Sequence, residues 1–520
     1  MATFSLQRPG LALFVASSAI LIIAVIYRGY RTRRFYRNLP GPPHSWIFGH
    51  LKVVRKITAL LPPNPHPQLI YTEVVYRYSI NGIFYLDLWP IGPGFVIITD
   101  LKILGQSSLP KPLPVHPITA VHVEPMFGES SIATFNGPVW NRMSAILSPV
   151  FSASYIRGMT RNMVDECLQW RQRLNELAAT GETFSMEELV AKLAYGIIST
   201  ATLAHPQRPQ TSECQDLVDL RNLVNLAREE SDIRVAYNLM IQIPRWWRRR
   251  QIVERLESSI RKKINERLDE ILEETTVPSR QNPRSVLDLL LGEHVEALVG
   301  KDDRRWNTRV QLSKVDEKRI FANIRTMLLG GHSTATNTLS FLFMLLTKEP
   351  HVVEKMHQEH VEQLGNPPEA ALLNNPEMLQ MLPYTEAVLK EAMRLYPPGS
   401  DLKQGPPGTT VTAHDGRRLP IDNNLIFTIS AHSIHYDPSI YPDPTAFRPE
   451  RWLGPDKVDS KYLRPFGGDG RSCPGKNMAM NMLKMIVVMT IGDYTFDFWG
   501  YRISAAWVGG EAEGWDDDDC

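Results

Sequence analysis

Phe466-Gly-Gly-Asp-Gly-Arg-Ser-Cys-Pro-Gly475 places one cysteine on a glycine-rich loop, with an arginine two residues before it and a glycine two residues after. Small residues let the backbone come close to a large flat ligand. A nearby cation and free N–H groups hold down an anionic sulfur. The stretch that follows, Lys476 to Val488, is rich in Met, Ala and Leu and predicts a helix whose positive end faces that sulfur. On the loop alone, the competing reading is a buried structural cysteine in a glycine-rich turn.

The loop resembles the haem-binding segment of the cytochrome P450 family, Phe-x-x-Gly-x-Arg-x-Cys-x-Gly. Phe466, Arg471, Cys473 and Gly475 match; the first glycine is replaced by Asp469, with Gly470 one place later. The resemblance implies haem as cofactor, Cys473 as axial ligand to its iron, and Phe466, Arg471 and Gly475 around it. An axial thiolate pushes electron density that favours cleavage of dioxygen.

Composition is compatible with this and excludes other classes. The chain has 520 residues, 43% hydrophobic and 22% charged, with a net charge of +1. That is ordinary globular composition without the bulk basicity of a nucleic-acid binder, so no nucleic-acid partner is expected. Its cysteines, Cys167, Cys214, Cys473 and Cys520, form no Cys-x-x-Cys pair and are too sparse for a disulfide scaffold.

Leu11 to Tyr27 carries no charge and spans about 25 Å as a helix, close to the thickness of the endoplasmic reticulum bilayer. Arg28, Arg31, Arg33, Arg34 and Arg37 follow it, against Arg8 before it, which places the body of the chain in the cytosol. A cleaved signal peptide is the alternative; the length of the apolar run and the bulky basic residues at its exit favour an anchor. Leu39-Pro-Gly-Pro-Pro43 must stop the helix and reads as a semi-rigid spacer. The expected organisation is residues 1–38 as membrane anchor and basic flank, 39–500 as the catalytic body, and 501–520 as an atypical acidic tail.

Within the body, Gly82-Ile-Phe-Tyr-Leu-Asp-Leu88 and Phe95-Val-Ile-Ile-Thr99 read as strands, whereas Val139 to about Leu395 shows mostly helical apolar spacing. Length alone suggests about three domains. The resemblance implies instead a mainly α fold with a small β-rich subdomain, the cytochrome P450 fold, preceded by a transmembrane helix.

Phe321 to Thr347 is a long apolar stretch containing Leu329-Gly-Gly-His-Ser-Thr-Ala-Thr336. Adjacent glycines in a helix cost about 1 kcal/mol each relative to alanine, and so signal a kink or a ligand lying against the helix. Thr334 stands one turn after Gly330, within reach of its carbonyl, where such a bond would open the helix. The segment resembles the family's oxygen-binding helix, Ala/Gly-Gly-x-Asp/Glu-Thr, with Gly330, Gly331 and Thr334 aligned and Ser333 in place of the acid. Gly331, Ser333 and Thr334 are thereby expected to shape the oxygen and proton path. His332 is read as a helix residue without a role.

Glu391 and Arg394 share a helix face by spacing, which alone means little more than a surface ion pair. Downstream, Phe447-Arg-Pro-Glu-Arg-Trp452 supplies Arg451. The two segments resemble the family's Glu-x-x-Arg helix and Pro-Glu-Arg-Phe segment, implying a structural network of Glu391, Arg394 and Arg451. His435-Tyr-Asp-Pro438 is similar to the meander that accompanies it. Trp140 matches the family's Trp-x-x-x-Arg and is implied, with Arg471, to hold a haem propionate; Ser144 stands where the arginine is expected, and Arg142 points elsewhere. An ordinary core tryptophan is the plain alternative.

Ile243-Pro-Arg-Trp-Trp-Arg-Arg-Arg250 joins two indoles to four arginines, which suits contact with anionic headgroups or a solvated surface run. After the Met-rich helix, Tyr494-Thr-Phe-Asp-Phe-Trp499 stands where the family has a β-hairpin. The resemblance implies a monooxygenase of the endoplasmic reticulum membrane, single-pass with a cytosolic catalytic domain. It would act with NADPH–cytochrome P450 reductase on a lipophilic small-molecule substrate, with membrane lipid around its anchor, in the style of filamentous-fungal secondary metabolism (polyketide or terpenoid). No dinucleotide fingerprint is present in the chain itself. The alternatives are a haem-thiolate isomerase, dehydratase or peroxygenase, which Ser333 keeps open, and a catalytically impaired haem-binding protein.

Overall fold

The computed structural model describes residues 9–63, 65–109, 111–230, 238–274, 278–299, 312–399, 402–422, 425–468 and 470–497. Asp469, Phe498 and Trp499, and the acidic tail 501–520 lie outside the described residues. The chain forms two compact units. One takes its described residues from 9–113 and 402–434, the other from Pro114–Gly399 and from His435 onwards.

The first unit begins with α1 (Pro9–Tyr36), which carries Leu13–Tyr36, a stretch long and apolar enough to cross a membrane and largely uncovered. The helix runs past Arg28 and ends three residues before Leu39-Pro40, where proline disfavours helical geometry in the residue before it. Its last turns are built into the unit. Arg33 is 1% exposed, forms an ion pair with Asp87, donates to the carbonyls of Ile47 (3.0 Å) and Trp89 (2.7 Å), and stacks on the Trp89 ring. Gly29 is where that ring crosses the helix: a Cβ there would stand 2.8 Å from it. Arg33 therefore belongs to the fold and not to the charged flank at the membrane.

A four-stranded sheet follows, in the order β1 (Ile83–Leu86), β2 (Phe95–Ile98), β6 (Ile426–Ile429), β3 (Leu402–Lys403); β4 (Thr410–Thr412) and β5 (Arg418–Pro420) pair separately. β2 and β6 run parallel, with Phe95 opposite Ile426, and the other pairs are antiparallel. Alternation sets the two faces: Ile83 and Tyr85 pack with Val96, Ile98 and Phe427, while Phe84 and Leu86 pack with Val53, Ile57, Val74 and Ile97. Both expected strands are present.

The second unit is helical. Its elements of interest are α2 (Gly137–Leu147), α3 (Met186–Leu203), α4 (Leu239–Glu274), α5 (Val286–Val299), α6 (Lys314–Leu346), α7 (Pro383–Leu395) and α8 (Lys476–Val488). Ser313 caps α6 by accepting the Asp316 N–H, with Asp316 and Glu317 favourably placed in the first turn. The core is centred on α6 and α3. Leu328, Leu329, Ala335, Leu339, Leu342 and Phe343 of α6 pack in one cluster with Leu193, Ala194, Tyr195 and Ile197 of α3. Close approach of the two helices is possible because Gly331 has no side chain: a Cβ there would meet Ile198 at 2.8 Å. α8 has the bounds expected from its composition and packs on α6 and α7.

Candidate active site

The loop before α8 closes on itself by backbone bonds, Cys473 N–H donating to the Phe466 carbonyl (2.8 Å) and Gly467 N–H to the Arg464 carbonyl (3.1 Å). Gly467 and Gly470 take φ of 71° and 84°, a region that residues with a Cβ seldom occupy. Gly470 thus supplies a left-handed turn one place after the substituted glycine position. Phe466 packs into the main core, and Cys473, just ahead of the first turn of α8, is exposed.

Arg471 is half-buried. One of its nitrogens donates to the Phe135 carbonyl (2.9 Å) and to Asn136 Oδ1 (2.8 Å), and its guanidinium lies 4.7 Å from the centre of the Trp140 ring. Asn136 is fixed in turn by Val115, whose N–H and carbonyl it meets at 2.8 and 2.9 Å. Arg471 and Trp140, far apart in sequence, are thus brought together. Ser144, partly buried on α2, offers no second cation. Arg142 turns away, as its spacing predicts, to an ion pair with Glu293 of α5 at 3.1 Å.

On α6 the Thr334 hydroxyl donates to the Gly330 carbonyl at 2.7 Å, the bond its spacing predicts. It does not open the helix, which is α-helical without interruption from Lys314 to Leu346. Thr336 and Thr338 make the same backward bond, to His332 and Thr334. A hydroxyl committed in this way presents only lone pairs to its surroundings. The paired glycines divide their work. Gly331, expected to shape an oxygen path, is taken up by packing against Ile198. At Gly330 a Cβ would have no neighbour within 4 Å. The exposed side of α6 carries Gly330, Thr334 and Asn337, with Ser333 at its edge. His332 points the other way, 2% exposed. Its Nδ1–H donates to the Leu328 carbonyl (2.8 Å), its ring meets Tyr195 edge-on, and burial lowers its pKa to about 4.

Glu391, Arg394 and Arg451 meet in one buried network. Glu391 and Arg394 are fully buried and bidentate, at 2.9 and 2.8 Å, and Arg451 Nε reaches the same carboxylate at 3.2 Å. The Trp452 indole N–H (3.0 Å) and the Arg448 backbone N–H (3.0 Å) complete its shell. The second guanidinium has no second carboxylate; the Pro442 and Asp443 carbonyls satisfy it. Arg394 also ties down the carbonyls of His435, Pro444 and Ala446. His435 continues the chain: Nδ1–H donates to the Arg394 carbonyl (2.9 Å) and Nε2 accepts the Arg464 N–H (2.9 Å) two residues before Phe466. Removing one member of such a buried group costs about 3–5 kcal/mol. Sequence reading missed Trp452 as a donor, His435 as the link to the loop, and Asn136. Of these, the segments of His435 and Trp452 resemble the family's, whereas Asn136 carried no signal.

These features fit the haem that the loop implies. The exposed Cys473 thiol stands on a glycine turn at a helix N-terminus, and a guanidinium is held against an indole. One face of a helix is left without a Cβ. No group of three or more His, Cys, Asp or Glu able to hold a bare metal ion occurs among the described residues.

A sequence profile for the family described as Cytochrome P450 matches residues 39–500. The chain is 28% identical over 501 residues to Cytochrome P450 monooxygenase polC of Polytolypa hystricis, covering 92% of this chain and 85% of that protein. It is 26% identical to Cytochrome P450 monooxygenase acrF of Aspergillus aculeatus, covering 84% and 88%. It is 24% identical to Cytochrome P450 4A10 of Mus musculus, covering 88% and 84%.

Proposed function

Because the chain belongs to the cytochrome P450 family, whose members bind haem through a cysteine thiolate, we propose that it inserts one oxygen atom of O2 into a lipophilic small molecule. In this reading Cys473 would hold the haem iron through its thiolate. Gly475 keeps a Cβ from contact with that sulfur, from which it would stand 3.7 Å, Phe466 braces the loop from the core, and Arg471 with Trp140 would hold a propionate. The bound haem supplies the dioxygen-activating chemistry. Gly330 opens the neighbouring face of α6. Thr334 accepts hydrogen bonds there because its own proton is committed to Gly330, and Ser333 orders water but cannot ionise. Glu391, Arg394 and Arg451, through His435, fix the loop that carries the cysteine.

The single observation behind this reading is the exposed Cys473 on a loop otherwise bonded into the core. Electrons come from NADPH through a separate flavoprotein reductase, and α1 holds the enzyme in the endoplasmic reticulum membrane with its catalytic body in the cytosol. Relatives from Polytolypa hystricis and Aspergillus aculeatus, both called monooxygenases, support oxygen insertion; we place the reaction in filamentous-fungal secondary metabolism, on a polyketide or terpenoid. The test is the carbon monoxide difference spectrum of the reduced protein, where the parent shows the band of sulfur ligation and Cys473→Ala loses it. Retention of the band in Cys473→Ala overturns the assignment. In microsomes with reductase and NADPH, one atom from isotopically labelled O2 appears in the product; product labelled only from water refutes oxygen insertion.

A further inference from the structure

The helix Ile118–Phe127 and α2 are joined by a strap without regular structure that lies against α6 and is bonded to it at successive residues. Asn323 of α6 is 0% exposed. Its oxygen accepts the Ile132 N–H at 3.0 Å, and its amide donates to the Ser130 carbonyl at 3.1 Å and to the Arg319 carbonyl of its own helix at 2.8 Å. Thr326, nearly one turn on, gives its proton to the Ala322 carbonyl, so the Ser131 hydroxyl donates to it, at 2.8 Å. At Gly128, where φ is 96°, a Cβ would collide with the buried Arg325 guanidinium. Ser130 takes φ of 69°, which a serine seldom adopts unless its surroundings hold it there.

The strap ends at the cation of the candidate site. The Ser131 carbonyl accepts the Thr134 N–H (3.1 Å) and hydroxyl (3.0 Å), which closes a turn. Phe135 and Asn136 come next, and their carbonyl and Oδ1 are the groups that hold Arg471. Asn323 and Gly330 are seven residues apart, close to two helical turns, and so lie on one side of α6. A single helix face therefore carries both the open position at Gly330 and the anchor of the strap.

We propose that Asn323 is a positioning residue for the propionate side of the site. By fixing Ser130 and Ile132 against α6 it sets where Phe135 and Asn136 hold Arg471, and so where that cation stands for a haem propionate. The inference rests on the haem reading above and adds to it a residue that acts only through the strap. Both of its bonds to the strap are to backbone atoms, so they fix the course of the chain itself, and as buried bonds they are costly to leave unmade.

The full-length holoenzyme is compared with Asn323→Ala and with the milder Thr326→Val, which keeps the side-chain shape and removes the partner of Ser131. Leu339→Ala, about four turns further along α6 and fully buried, is the control for lost stability alone. In Asn323→Ala the amides of residues 130–136 are expected to exchange faster with deuterium. Haem is expected to pass to excess apomyoglobin about tenfold faster, the equivalent of one buried hydrogen bond, with a smaller rise in Thr326→Val. The reduced protein with carbon monoxide keeps the band of sulfur ligation in both, and Leu339→Ala transfers haem at the parent rate. On an Arg471→Gln background Asn323→Ala is expected to add nothing, and an additive acceleration overturns the route through Arg471. Parent rates of transfer in both strap variants, or an equal acceleration in Leu339→Ala, overturn this inference and leave the haem reading standing. A parent without the band of sulfur ligation overturns that reading and the inference with it.

Discussion

Two adjacent glycines on α6 look alike in sequence and are opposite in physics. At Gly330 a methyl group meets no neighbour within 4 Å, so Gly330→Ala recovers helix propensity and raises stability by about 1 kcal/mol. At Gly331 it is driven into Ile198, a stiff β-branched side chain in the core, at 2.8 Å. Overpacking of that kind costs about 1–3 kcal/mol, which cancels or exceeds the same propensity gain. Urea midpoints of the two variants should therefore fall on opposite sides of each other, Gly330→Ala above and Gly331→Ala below; the reverse order refutes the division of labour. Ser333 extends the argument to chemistry. Thr334 donates its only proton to Gly330, and Ser333 cannot ionise, so no side chain among the described residues of this face of α6 acts as an acid. Positioned proton transfer is worth roughly 10²–10⁴-fold. Ser333→Asp should raise product formed per NADPH and lower the hydrogen peroxide released, and equal coupling in both proteins would show that the serine limits nothing.

At the scale of elements, the same difference separates what was legible from what was not. α8 follows its expected bounds because its Met- and Leu-rich composition and the glycine before it are local signals. β1 and β2 were legible for the same reason, as β-branched and aromatic runs. Partnerships across long stretches of chain have no local signature: Asn136 with Arg471, His435 between Arg394 and Arg464, and the Trp452 indole on Glu391 appear only once the chain is folded. α1 is the sharpest case. Its five trailing arginines read as one basic flank, yet Arg33 is enclosed with Asp87 while its neighbour Arg34 is exposed. The span is therefore continuous with a helix end anchored in the sheet-bearing unit. Arg33→Ala strands the Asp87 carboxylate with His44 at 2.9 Å and the Trp89 N–H, and should cost about 3–5 kcal/mol by urea unfolding. Membrane flotation should not change, since the apolar stretch is untouched, and Arg34→Ala should alter neither reading. Equal effects of the two substitutions would place Arg33 back in the flank.

Across the whole molecule, burial lowers the pKa of His50, His332 and His360. His50 lies in the first unit, and His332 and His360 in the second; each falls to about 4. His332 and His360 spend their ring nitrogens on the Leu328 carbonyl and the Thr385 hydroxyl, and His50 on the Pro42 carbonyl and the Asp87 N–H. In the unfolded chain each titrates near 6.5. The sign follows: their contribution is complete above about pH 6.5 and is lost as pH falls towards 4, because the unfolded state takes up protons that the native state refuses. Each contributes a slope of up to about 1.4 kcal/mol per pH unit, roughly 4 for the three together. Glu386 enters later. Burial works against the charge of Glu386, but Lys390 and Lys484 outweigh it and hold the pKa down to about 2, so its contribution is lost only below its unfolded value near 4.5. Between pH 6.5 and 4.5 the fall is carried by the histidines and opposed in part by Glu166, whose carboxyl burial raises. Urea unfolding across that interval should show falling stability, and His332→Gln should flatten the part reported by the helical unit without touching the part that depends on His50. A parent curve level from pH 6.5 to 4.5 would mean that these rings are protonated in the native state, against the burial that lowers all three and, for His50, against the Asp87 N–H that its Nδ1 accepts.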